Sequence, residues 1–131
     1  MALRSGNTFS KKERLSGRKV IESLFNRGSA FNVFPLRVIW LPENNRATLQ
    51  AGVAVSSRHF KRAVDRNRIK RLMKEAYRLQ KFPLEEQLTK SGKQLSVFFL
   101  FTGNELPDFD QMKLTMEKAI RKLTELTHGK H

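Results

Sequence analysis

The sequence predicts an α+β sandwich of order αββαβα, with helices packed on a small sheet. Three observations carry that prediction. Leu49, Ala51, Val53 and Val55 alternate over residues 48–55, the period of a half-buried strand. Apolar residues recur at helical spacing over about 61–80 and again over 109–126. Residues 94–101 are too uniformly apolar to face water on either side, which marks a central strand. A chain of 131 residues suits one domain with a real core, and no repeat or linker divides it.

The elements follow in order. Residues 1–14 read as a flexible basic arm. Ser16 is placed to cap a helix over about 17–27, with Leu15 and Val20 as a hydrophobic staple and Gly28 just past its end. Val20, Ile21, Leu24 and Phe25 share one face of it. A strand is expected at 34–41, where Pro35 favours an edge or the strand start. Pro42-Glu43-Asn44-Asn45 turns the chain into the strand at 48–55. The basic helix over 61–80 comes next, and Pro83 either interrupts it or starts a short extra turn. After the central strand, Asp108 and Gln111 form a capping-box-like start to the helix over 109–126. Its buried stripe is Met112, Met116, Ala119, Ile120, Leu123 and Leu126. Residues 128–131 form a polar, disordered tail, so the folded domain spans 15–127.

Charge narrows the function. The net charge is +14, and it is not evenly spread. Residues 1–27 hold a surplus of +5 and residues 58–81 a surplus of +8, which leaves the rest nearly balanced. Concentrated cations raise the local potential and release counterions from a polyanion, so nucleic acid is the expected partner. A solvated basic face or an anionic membrane surface is the alternative. No apolar run approaches the ~20 residues that span a bilayer, and the first residues lack a secretory signal's apolar stretch, which points to the cytoplasm. There is no cysteine, hence neither disulfide framework nor thiolate metal site.

The basic helix is the informative element. Stepping 100° per residue, Ile69, Leu72, Met73, Ala76 and Leu79 fall on one face. Asn67, Lys70, Arg71, Lys74 and Arg78 fall on the opposite one, with Arg66 and Arg68 on the flanks. Arginine forks match phosphate oxygens, lysines add point charge, and Asn67 can bond a base edge or sugar. A merely solvated helix intersperses acids at i,i+4, whereas here Glu75 alone interrupts.

Independent catalysis finds little support. His59, His128 and His131 do not share ligand spacing in a helix. Glu85-Glu86 and the Asp108/Asp110 pair could in principle hold magnesium, but a loop-like setting and helix capping are the commoner roles. No Gly-rich phosphate loop is present.

The segment Ala63-Val64-Asp65-Arg66-Asn67-Arg68-Ile69-Lys70-Arg71-Leu72 resembles the Arg-Asn-Arg signature of the bacterial ribonuclease P protein subunit. The likeness extends to Arg14-Leu15, Leu24-Phe25-Asn26-Arg27-Gly28 and Gly52-Val53-Ala54-Val55-Ser56-Ser57-Arg58, and covers most of residues 9–126. It implies the fold of the second domain of ribosomal protein S5, with a left-handed βαβ crossover. It further implies a 1:1 partnership with a catalytic RNA that, with bound Mg2+, removes the 5′ leader of precursor tRNA, the protein itself holding no cofactor, no small-molecule substrate and no catalytic side chain. By position, Arg58, Lys61, Arg62, Arg66, Asn67, Arg68, Lys70, Arg71 and Lys74 would meet the catalytic RNA. Ile21, Phe25, Phe34 and Leu36 would wall a cleft for the leader between the first helix and the sheet, each equally readable as core. Two other readings stay open: a ribosomal or RNA-chaperone protein, and a stand-alone endoribonuclease.

Overall fold

A computed structural model describes residues 18–42 and 48–127. The arm, the Ser16 cap, the Leu15–Val20 staple, the turn after Pro42 and the tail lie outside the described residues. The chain order is α1 (Arg18–Arg27), β1 (Ser29–Val33), β2 (Leu36–Pro42), β3 (Leu49–Val55), α2 (Ala63–Gln80), α3 (Phe82–Ser91), β4 (Leu95–Phe101) and α4 (Phe109–Thr127). The α+β sandwich stands, with one strand and one helix more than the sequence predicts.

The added strand is β1. It forms a hairpin with β2 (Ser29 opposite Trp40, Val33 opposite Leu36), and Phe34-Pro35 make the turn. Its residues Ser29 to Val33 are mostly exposed, and Phe31 and Val33 alone alternate, too short a pattern to betray a strand. The added helix is α3. Pro83 lies in its first turn, where a missing N–H costs nothing, and so starts a helix rather than breaking one. Gly92 ends it at φ 70°, with Lys93 N–H donating to Leu88 O at 2.9 Å and Gly92 N–H to Thr89 O at 3.2 Å. That pairing is a Schellman cap, and the left-handed residue favours glycine.

The four strands lie in the order β1-β2-β4-β3. β4 pairs antiparallel with β2 and parallel with β3, so it sits inside the sheet as its uniform apolar character requires. A parallel neighbour demands a long crossover, and α2 and α3 supply it between β3 and β4.

The strands divide their side chains between two unequal faces. One face carries the main core: Leu36, Val38, Leu49, Ala51, Val97, Phe99 and Phe101 pack against Ile69, Met73, Ala76 and Tyr77 of α2 and Met112, Met116, Ala119, Ile120 and Leu123 of α4. Among the described residues the other face holds a smaller cluster, Leu24 of α1 with Ile39 and Phe98, flanked by Leu41 and Ala54. The chain leaves α1 through Gly28, whose N–H donates to Leu24 O at 2.8 Å. A Cβ there would stand 2.6 Å from that oxygen and 2.9 Å from Trp40 O, so close backbone approach excludes a side chain.

The helix stripes need two amendments. Tyr77 is buried in α2, its ring 5.6 Å from Phe99, whereas Leu79 is exposed. In α4, Leu126 is 45% exposed and Thr127 is buried in its place. The capping box is present: Gln111 N–H donates to Asp108 Oδ1 at 2.8 Å and Asp108 N–H to Gln111 Oε1 at 3.1 Å.

Candidate nucleic-acid interface

The apolar stripe of α2 fixes which way its charges point. With Ile69, Met73, Ala76 and Tyr77 buried, the opposite side of the helix must face water. Asn67, Arg68, Arg71 and Lys74 are exposed there and Lys70 is half-exposed. Among the described residues, none of the cations Arg68, Lys70, Arg71 and Lys74 has a carboxylate partner, so their charge is uncompensated. Arg78 differs. Its Nη2 lies 2.6 Å from Glu75 Oε2, so the open cationic ridge ends at Lys74.

The loop between β3 and α2 continues this surface. Arg58, His59, Lys61 and Arg62 are exposed, with Arg62 in a loose pair with Asp65 at 3.7 Å. Phe60 is buried among them, its ring 6.1 Å from Phe101, and anchors the loop to the sheet. Arg66 turns away from the ridge. Its Nη1 donates to Phe60 O at 2.9 Å and to Lys61 O at 2.8 Å, so one edge of its guanidinium is spent on its own backbone.

Of the residues expected to wall a leader cleft, Phe25, Phe34 and Leu36 are not brought together. Phe25 meets Phe98 edge-on at 5.5 Å on the α1 face and stays 48% exposed. The side chain of Ile21 lies outside the described residues. Leu36 is 1% exposed because strand alternation turns it into the main core, and this corrects its assignment to a cleft wall. Phe34, 77% exposed in the hairpin turn, lines a different groove of about 340 Å³ with Gly103, Leu106 and Met112. Alternation also puts Arg37 on the α1 face beside Ile39, with Nη1 3.5 Å from Asn32 Oδ1. Nothing in the sequence singles out Arg37 or Phe98, because the unbroken apolar run of β4 hides which of its residues faces which side.

Acidic side chains serve the fold. Glu85 and Glu86 lie in α3, not in a loop, and Glu86 Oε2 is 3.9 Å from Lys90 Nζ. Asp108 caps α4. Among the described residues, no group of three His, Asp or Glu could hold a metal ion, and no helix is long and apolar enough to cross a membrane.

A one-sided cationic helix on a closed α+β core defines a protein built to meet a polyanion. Comparison with known proteins supplies the family. The family model described as Ribonuclease P matches residues 9–124. The chain is 40% identical over 116 residues to the Ribonuclease P protein component of Porphyromonas gingivalis, covering 87% of this chain and 85% of that one. It is 30% identical over 135 residues to the protein of the same name from Chlorobium phaeobacteroides, covering 92% of each. A solved structure of the Staphylococcus aureus RNase P protein superposes with a TM-score of 0.68 at 16% identity, over 86% of this chain and 96% of that chain, which shows a shared fold. The chain belongs to the Ribonuclease P family.

Proposed function

We propose that this chain is the protein subunit of a ribonuclease P holoenzyme in the cytoplasm, one copy to one catalytic RNA. The observation that carries the reading is the ridge Asn67, Arg68, Lys70, Arg71 and Lys74, aimed outward by the buried stripe of α2 and uncompensated by same-chain carboxylates among the described residues. Fixed guanidinium and ammonium groups on a rigid helix match the phosphates of a folded RNA without prior rearrangement. Arg58, Lys61 and Arg62 extend that contact along the adjoining loop, which Arg66 ties to α2.

In this reading the α1 face receives the single-stranded 5′ leader of precursor tRNA. Phe25 offers an aromatic platform that tolerates any base, and Arg37 supplies a cation on the same face of the sheet. Phe34 stays a candidate for a separate contact at the hairpin turn. Magnesium and the hydrolytic step belong to the RNA, and the chain's part is to hold substrate and RNA in register.

The test is cleavage of precursor tRNA at moderate magnesium by protein alone, RNA alone and the two together. The expected outcome is strong stimulation only in the mixture. Cleavage by the protein alone would make it an endoribonuclease in its own right, and no stimulation by the protein would sink the proposal.

A further inference from the structure

The loop from Ser56 to Arg62 faces a physical difficulty. Arg58, Lys61 and Arg62 fall within five residues there, all exposed, and like charges push such a segment open. Four ties oppose that. Ser56 N–H donates to Phe101 O at 3.1 Å, and Arg58 N–H donates to Ser56 Oγ at 3.3 Å. Phe60 is buried against Phe101. The remaining tie comes from Arg66, whose Nη1 reaches two successive carbonyls, those of Phe60 and Lys61, just upstream of α2. Both are charge-assisted bonds, roughly twice as strong as neutral ones. They also hold a half-buried positive charge behind the loop's own cations, a placement that helps only if order in the loop is worth that repulsion.

We propose that Arg66 is a positioning residue: it fixes the 56–62 loop so that Arg58, Lys61 and Arg62 meet the RNA in one arrangement, and it contributes through them rather than through a phosphate of its own. The inference deepens the RNA-anchoring role proposed above and rests on it. Its physical basis is preorganisation, since a loop that must be ordered on binding loses affinity in proportion to the freedom it gives up. The guanidinium fork suits the task because one terminal nitrogen carries two protons at the angle two neighbouring carbonyls require.

A double-mutant cycle tests it, using the ribonuclease P RNA as probe and four proteins: wild type, Arg66→Ala, the triple variant Arg58→Ala/Lys61→Ala/Arg62→Ala, and the combination. Arg66→Ala is expected to weaken binding about tenfold in the wild-type loop, the scale of one or two charge-assisted bonds. In the triple background its effect should shrink to less than about twofold, because coupled groups are not additive. Equal losses in both backgrounds would mean that Arg66 holds a phosphate directly and would overturn the inference. Amide exchange of the free protein gives a second readout. Arg66→Ala should speed exchange over 58–61 and leave β4 and α4 protected, whereas Arg71→Ala should leave the loop unchanged. Loop exchange that is the same in Arg66→Ala and wild type would also overturn it. Should Arg66→Ala lose protection throughout, Arg66→Met, which keeps the apolar stem and gives up the donors, takes its place, and the same binding and exchange results decide. A triple variant that binds as tightly as wild type would instead remove the RNA contact itself, leaving the two failures distinct.

Discussion

Helices α2 and α4 lie side by side over the same core and are nearly equal in length, at 18 and 19 residues. Gln80 joins them through a 2.9 Å bond from its Nε2 to Lys113 O. Their buried faces follow one rule and their outer faces two. On α4 acids intersperse the charges (Asp110, Glu117 and Glu125), and two of its four cations are answered locally: Arg121 pairs with Glu117 at 3.3 Å, and Lys122 lies 5.6 Å from the ring centre of Phe31. On α2 no acid intervenes between Asp65 and Glu75, and Arg68, Lys70, Arg71 and Lys74 are left open. Amphipathicity alone therefore says where a helix packs. The placement of its acids says whether its outer face is merely solvated or is waiting for an anion.

The largest effect should be shared by both helices. Ile69→Ala and Leu123→Ala each remove a fully buried side chain and should cost about 2–5 kcal/mol in chemical denaturation. A loss under about 1 kcal/mol at either site would break the claim that one core pins both helices. Charge reversal should then separate them. Arg71→Glu is expected to lower affinity for the catalytic RNA by about tenfold or more, and Lys118→Glu by less than about twofold. Arg71→Ala should also reduce the salt slope of binding by about one, the signature of one lost phosphate contact. Equal losses from the two reversals would show that net charge, not the ridge, is what the RNA feels. A smaller and more selective effect belongs to the α1 face. Phe25→Ala should weaken binding of leader-bearing precursor about fivefold more than that of mature tRNA, as loss of one stacking platform would. Losses equal for the two substrates would assign Phe25 to folding. The smallest effect is expected at Arg78, where Glu75 already answers the charge: Arg78→Ala should change RNA affinity by less than about twofold.

Much of this is legible in the residues because period and composition report burial directly. The stripe of α4 and the capping box at Asp108 fall where helical spacing puts them, and β4 is central because nothing in it tolerates water. The failures have equally local causes. Helical spacing favours Leu79 over Tyr77 for the core because a phenol reads as polar, although its ring is what packs on Phe99. β1 carries little signal because its five residues on an exposed edge offer only Phe31 and Val33 in alternation. Leu36 and Phe34 are two positions apart and end in opposite surroundings, one in the core and one in water, a distinction set by the hairpin register and not by either residue's chemistry. Arg66 cannot be told from Arg68 in the sequence, since only the path of the preceding loop brings two carbonyls within its reach.

The strand order has a consequence for how the molecule comes into being. β4 is the last strand to be synthesised, yet it takes the middle place, between β2 and β3. Until residue 101 has emerged from the ribosome those two earlier strands have no common neighbour, and the greasy side of α2 has no floor to settle on. The cationic helix is thus translated well before the strand that completes the sheet beneath it and the helix α4 that packs beside it.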